Sequence, residues 1–209
     1  MAEIYNILYK VDFKMKEKSL TELSNEELWQ LFPIIISGHK SYWKENYQSE
    51  KALLEQVIGT DNIRRISHIG STSVEGLPVK PTIDILIEIA DDTCLEEQTG
   101  HLVSAGYIYN KQPVNPPPHM MFMKGYTPRG FEGQAYHVHI RYAGDWDELY
   151  FRDYLSAHPE TANEYAELKL ALQEKYRNDR DAYTEAKTGF VKRITELARE
   201  AYPGRYANI

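Results

Sequence analysis

Apolar positions in this chain recur with two different periods, helical at both ends and strand-like in the middle. Ser24-Asn-Glu-Glu27 has the form of a capping box, so a helix is expected from Asn25, and Pro33 must end it near Leu31. From His39 to Ile58, the side chains Trp43, Tyr47, Leu54 and Ile58 return at helical spacing, which predicts a long amphipathic helix stopped by Gly59. Two runs dominated by β-branched residues follow, Arg64 to Ile69 and Thr82 to Ile89, and both read as strands. Thr93 to Ala105 predicts a helix closed by Gly106, and Tyr107 to Asn110 a short strand. His119 to Lys124 and Ala135 to Tyr142 flank a glycine-rich stretch at 125–133 and read as an antiparallel pair. Asp145, with Glu148 three residues on, predicts a helix cap.

A further helix is expected after Pro159, with Tyr165, Leu168, Leu172 and Tyr176 on one stripe. Another runs from about Asp181 to Ala201, with Tyr183, Phe190, Ile194 and Leu197 on its apolar face. Residues 1–22 show only a weak alternation from Ile4 to Phe13, compatible with a short strand or an arm. Pro113, Pro116, Pro117 and Pro118 make a stiff loop that cannot join a sheet. Helices, a mixed middle and helices again predict an α+β fold over a single domain, 1–209. The helical additions at 143–201 are expected to pack on a mixed sheet.

The polar residues inside the strand-like runs carry the candidate chemistry. Gly70-Ser71 breaks the first strand where a helix is expected to start, and offers backbone N–H groups and a hydroxyl to phosphate oxygens. Thr72 and Ser73 add hydroxyls at the same turn. Asp84 is the lone carboxylate early in an apolar strand, where it needs a cation, a basic side chain or donors. Strand periodicity puts Asp84, Leu86 and Glu88 on one face and the four isoleucines from Ile83 to Ile89 on the other. Glu88 then lies about 13 Å from Asp84 and reads as a solvated strand end. His137 and His139 share one strand face, where they can bind a metal or carry a proton, and Arg141 follows on that face to meet phosphate.

Lys80 approaches the Asp84 strand as a phosphate-reaching point charge, with Arg152, Lys169 and Lys187 as further cations at the edge of the core. His68 reads as a packing histidine. On the residues alone, plain alternatives stay open: a tight turn capped by Ser71, a structural ion pair at Asp84, and half-exposed strand histidines. A histidine-triad strand would need a third histidine where Arg141 stands.

His68-Ile-Gly-Ser-Thr-Ser73, Gly76-Leu77, Lys80-Pro-Thr-Ile-Asp-Ile-Leu86, His137-Val-His139, Phe151-Arg-Asp-Tyr-Leu155, His158-Pro159 and Asp181 to Lys187 together resemble the GrpB family, over roughly residues 25 to 200. More broadly, the Gly-Ser turn followed by Asp84 resembles the nucleotidyltransferase superfamily. That resemblance implies a nucleotidyltransferase-like mixed sheet flanked by helices, and transfer of a nucleotidyl group from a nucleoside triphosphate to a small acceptor. It implies Mg2+ or Mn2+ on Asp84 and His139, catalytic roles for Asp84, His137 and His139, and ligand contacts from Gly70, Ser71, Thr72, Lys80 and Arg141. The sequence departs from the superfamily pattern at Leu86, where a second carboxylate is expected. The departure leaves a non-catalytic nucleotide- or phosphometabolite-binding module as the alternative.

Composition narrows the partners. With 26% charged and 12% aromatic residues, 209 residues suffice for one folded core. A net charge of −7 disfavours a general nucleic-acid surface and leaves small phosphorylated molecules as the expected partners. The single cysteine, Cys94, suits a reducing compartment, and neither a secretory leader nor an apolar run long enough to span a bilayer is visible. A cytoplasmic location is the expectation. The oligomeric state is left open.

Overall fold

The computed structural model describes residues 18–111 and 119–207. The weak alternation at Ile4–Phe13 and the prolines at 113 and 116–118 lie outside the described residues. Helix α1 (Asn25–Leu31) starts at the capping box: Ser24 Oγ accepts from the Glu27 amide at 3.2 Å, and the Glu27 carboxylate accepts from the Ser24 amide at 2.8 Å. Helix α2 (Tyr42–Ile58) buries Trp43, Tyr47, Leu54 and Ile58 and stops at Gly59, whose φ of +85° suits a residue without Cβ.

Five strands form one mixed sheet: β1 (Ile63–Ile69), β2 (Thr82–Ile89), β3 (Ile108–Asn110), β4 (Met120–Thr127) and β5 (Gly130–Tyr142), in the order β1-β2-β5-β4-β3. β2 and β5 run parallel, and the other neighbours are antiparallel. Helix α3 (Leu95–Ser104) links β2 to β3, while α4 (Asp147–Ala157), α5 (Pro159–Tyr176) and α6 (Arg180–Ala201) follow the sheet. The fold is α+β, a mixed sheet flanked by helices.

The main core forms on the isoleucine face of β2. Ile83, Ile85, Ile87 and Ile89 pack there with Phe122, Val138 and Ile140, beneath Trp43, Leu54 and Leu102, all fully enclosed. The cluster continues through Val74, Leu77 and Val79 to Phe151, Tyr165 and Ile194 on the C-terminal helices. Each enclosed aliphatic side chain contributes about 1.5–3 kcal/mol. The opposite face of β2 is thus free to carry polar groups: Asp84, then Leu86 packed on Ile69 and Leu149, then Glu88.

Several expectations change. Glu88 is not a solvated strand end; it is fully enclosed and paired with Arg65 from β1, its register partner, because α4's approach and the Gly144 backbone close that end of the sheet. Asp145 does not cap α4. The N-cap is Trp146, and the Asp145 carboxylate is taken instead by the Tyr150 hydroxyl and the Arg199 guanidinium, each at 2.7 Å. The glycine-rich stretch is mostly strand, with the turn reduced to Pro128-Arg129. Leu197 is exposed because Ala198, small enough to sit fully enclosed, completes the Ile194 stripe. Gly70-Ser71 opens no helix but a single 3-10 turn, Ser71–Ser73.

Candidate functional site

The sheet register assembles the site. Ile69 pairs with Asp84 across β1–β2, which brings the Gly70 turn against the carboxylate, and Asp84 pairs with His137 across β2–β5. Gly70 has φ 68° and ψ −173°, a region almost reserved for glycine. A Cβ there would lie 2.4 Å from Asp84 Oδ2. The backbone therefore touches the carboxylate as closely as chemistry permits.

His137 Nδ1 lies 3.2 Å from Asp84 Oδ1, and its Nε2 lies 2.7 Å from the Tyr126 hydroxyl. His139 Nε2 is 3.8 Å from the same Oδ1, an electrostatic neighbour too distant for a hydrogen bond. Burial pushes the Asp84 carboxyl up, but the two neighbouring imidazoles, led by the hydrogen bond from His137, outweigh it and hold the group well below the usual carboxylate range. Burial also drives His137 down to about 4, against the pull of Asp84 and with help from Lys80 and His139. At neutral pH the imidazole is therefore uncharged. Its geometry then assigns the protons: Nδ1–H donates to Asp84, and Nε2 accepts from Tyr126.

Tyr126 was not foreseen in the sequence. In regular alternation it would share a face with Lys124, which points away from Asp84 to pair with the buried Glu50 at 2.8 Å. Gly125, at φ +84° and packed against the Gln134 carbonyl, breaks the register between Lys124 and Tyr126. This bulge turns Tyr126 onto the His137 face, where their rings stack at 5.7 Å. A glycine inside a strand pattern was the available signal.

Two lysines lie within electrostatic reach of this carboxylate. Lys80 is half-buried and pushed down to about 7, chiefly by burial and then by Arg180 and Lys187, while Asp84 pulls the other way. Lys187 is lowered by burial, with Asp84 raising it and Arg180 lowering it. Arg180 stands 6.0 Å from the Tyr126 ring. Lys169 is almost fully buried over the Tyr165 ring and donates to the Pro78 carbonyl at 2.8 Å; burial and Lys187 push it down to about 7. Ser71 is half-buried beside the Tyr165 hydroxyl.

Three expected contributors sit elsewhere. Thr72 is buried, with its hydroxyl between His68 Nε2 at 2.9 Å and the Thr82 carbonyl at 3.2 Å, so it braces the turn and faces no cleft. Arg141 pairs with Glu88 in register, two pleats beyond His137, and its guanidinium is taken by Glu148 at 2.7 Å and the Trp146 ring at 5.2 Å. Arg152 donates to the His68 carbonyl and bonds Tyr206. His68 packs as expected, stacked on Tyr47 at 4.7 Å.

For a metal, the donor set is incomplete. His137 has committed both nitrogens, which leaves the Asp84 carboxylate and the His139 imidazole, and among the described residues no group of three or more His, Cys, Asp or Glu is arranged to hold an ion. Such a half-shell fits a divalent ion whose remaining ligands are phosphate oxygens and water, with imidazole suiting Mn2+ better than Mg2+. The neighbouring cations oppose a bare ion and favour one that arrives with phosphate.

Lys80 links this electrostatics to stability. Between about pH 7 and the unfolded lysine value near 10.4, the unfolded chain holds a proton that the folded one gives up, so Lys80 opposes folding and does so fully below pH 7. Lys80→Met is expected to raise the melting midpoint of the free protein, most at pH 6–7 and less at pH 9, while weakening binding of tripolyphosphate. A midpoint that falls at pH 6 would show that Lys80 is held by attraction.

Comparison with known proteins places these features in context. The model of a family described as GrpB protein matches residues 33–197. The glutamate-rich protein GrpB of Alkalihalophilus pseudofirmus is 36% identical over 165 residues, covering 77% of this chain and 93% of its own. The crystal structure of the conserved protein GrpB from Enterococcus faecalis superimposes with a TM-score of 0.71 at 28% identity, over 80% of this chain and 99% of that one. A cytoplasmic RNA terminal U-transferase reaches a TM-score of only 0.33 at 16% identity, over 71% of this chain and 40% of that one, too low to bear on fold or activity. Among the described residues no helix is long and apolar enough to cross a membrane.

Proposed function

We propose that this chain, which belongs to the GrpB protein family, binds the phosphate tail of a nucleoside triphosphate over Asp84, with nucleotidyl transfer to a small acceptor as the reaction it would support. The feature that carries this reading is the cluster of Lys80, Arg180 and Lys187, which feel one another's charge, with Lys80 and Lys187 also in electrostatic reach of Asp84 on the interior strand β2. Lysines driven out of their ordinary range by burial and by one another favour an anionic ligand that would relieve both costs. A polyphosphate chain satisfies them together, with the Gly70 turn held against the carboxylate. A Mg2+ or Mn2+ held by Asp84 and His139 would supply charge neutralisation at the phosphates. The chain's own residues orient the ligand: Ser71 offers a hydroxyl, Lys80 and Lys187 point charges, and the Tyr126–His137–Asp84 chain fixes the carboxylate.

One observation favours a second reading, a binding module without turnover. Leu86 stands fully enclosed where a second carboxylate would serve transfer chemistry, packed on Ile69 and Leu149. Asp84→Asn separates the possibilities by keeping shape and removing charge. The thermal stabilisation by nucleoside triphosphate that depends on Mg2+ or Mn2+ is expected to shrink, while any metal-free part persists. An unchanged metal-dependent shift would leave Asp84 as a structural residue. Binding without pyrophosphate release, across all four triphosphates and a broad acceptor mixture, would establish the module.

A further inference from the structure

We infer that a crevice beside Lys80 seats the planar base of the nucleotide, an inference that rests on the phosphate reading above. The crevice has a volume of about 180 Å3 and is walled by Pro33, Ile35, Tyr42 and Phe131, with Gln134 and Lys80 at its edges. Its floor is the Thr82–Ala135 pair, one pleat from the Asp84–His137 pair on the same sheet face. That step is about 7 Å at strand rise. Lys80 belongs to both places: it edges the crevice and feels Asp84, Arg180 and Lys187.

Three features select a flat ring as the occupant. Ile35, Tyr42 and Phe131 are 44%, 49% and 42% exposed, and among the described residues they make up three of the six large apolar side chains left open to solvent. Scattered exposed apolar side chains are ordinary, but three around one crevice mark a binding surface. The volume falls below the roughly 300 Å3 at which whole drug-sized ligands are housed, so one ring system fits and a complete nucleotide does not. The walls are also fixed in advance. Phe131 packs edge-on to Phe32 at 5.1 Å, the 34–37 strap is tied to Arg177, Gln173 and Val79, and Gln134 donates to the Pro81 and Ala135 carbonyls. Tyr126 joins the two regions, 5.2 Å from the Phe131 ring and bonded to His137.

The test compares inorganic tripolyphosphate with the four nucleoside triphosphates by calorimetric titration. The wild-type chain is expected to bind at least one nucleoside triphosphate about ten-fold or more tightly than tripolyphosphate, the scale of one base stacked on an aromatic ring. Tyr42→Ala and, separately, Phe131→Ala are expected to erase that preference while tripolyphosphate affinity stays within about two-fold. Tyr42 begins α2 and stands half exposed, so its truncation keeps the test valid if Phe131→Ala disturbs the Phe32–Tyr126 cluster. If tripolyphosphate binds and no nucleotide binds better, the base seat fails and the phosphate reading stands. If both variants keep the preference, the base lies elsewhere and the inference fails. If neither tripolyphosphate nor any nucleotide binds, both readings fall.

Discussion

Arg65→Met is expected to lower the unfolding free energy by about 3–5 kcal/mol and the melting midpoint by roughly 6–20 °C. Glu88 lies fully enclosed in the middle of the sheet, and Arg65 is the cation that answers its charge. The guanidinium grips both carboxylate oxygens, with Nη2 at 2.8 Å from Oε1, and spans to the Gly144 carbonyl at 3.1 Å. Without it, the Gly144 amide at 3.0 Å is the hydrogen bond left to the carboxylate. A buried charge stripped of its partner costs far more than the pair contributes, because desolvation is no longer repaid. The double variant Arg65→Met with Glu88→Leu is therefore expected to recover most of the loss. Chemical denaturation of the three proteins checks this. A single-variant cost under about 1 kcal/mol would reduce the pair to the class of surface bridges.

Gly70→Ala is the second large effect, and it strikes stability and binding together. The backbone at φ 68°, ψ −173° costs any other residue about 1–3 kcal/mol. In addition, the new methyl would meet Asp84 Oδ2 at 2.4 Å, so the carboxylate must turn away from His137 or the turn must lift off the strand. Either movement would dismantle the proposed phosphate site. Tripolyphosphate and nucleotide binding are expected to disappear even at temperatures where circular dichroism shows the variant folded. Full binding by a folded Gly70→Ala protein would remove Gly70 from the site.

The contrast between what the sequence disclosed and what it hid follows from the range of the forces involved. Capping at Ser24, the stop at Gly59 and the alternation from Thr82 to Ile89 are local, and each reads correctly from neighbours in the chain. Asp84, His137 and His139 were visible as polar residues out of place in apolar runs. Of their companions, Lys80 and Lys187 were visible too, but Arg180 was not, since it looks like an ordinary residue at a helix start and only tertiary packing brings it beside Lys80 and Tyr126. Tyr126 was masked by a bulge that reverses its face. Glu88 and Asp145 failed for a common reason: an acidic residue at an element's end reads as solvated or capping until a distant arginine, Arg65 or Arg199, claims it. Thr72 and Arg141 are engaged in the same way within the protein, the hydroxyl with His68 and the Thr82 carbonyl and the guanidinium with Glu148.

The parallel ladder between β2 and β5 has a consequence for how the site comes into being. The β4–β5 pair closes through the two-residue turn at Pro128-Arg129 and β1–β2 through the segment 70–81, so either can form from nearby chain. Asp84 and His137 are 53 residues apart, and a parallel pair has no tight turn to nucleate it. The loop-closure entropy is paid before any contact across that ladder returns it. The event that zips Ile85 against Val138 also brings the carboxylate to the imidazole. Condensation of the two halves of the sheet and the meeting of Asp84 with His137 are thus one step, while Arg180 and Lys187 arrive only with α6, so no contiguous fragment shorter than residues 70–187 contains every group of the proposed site.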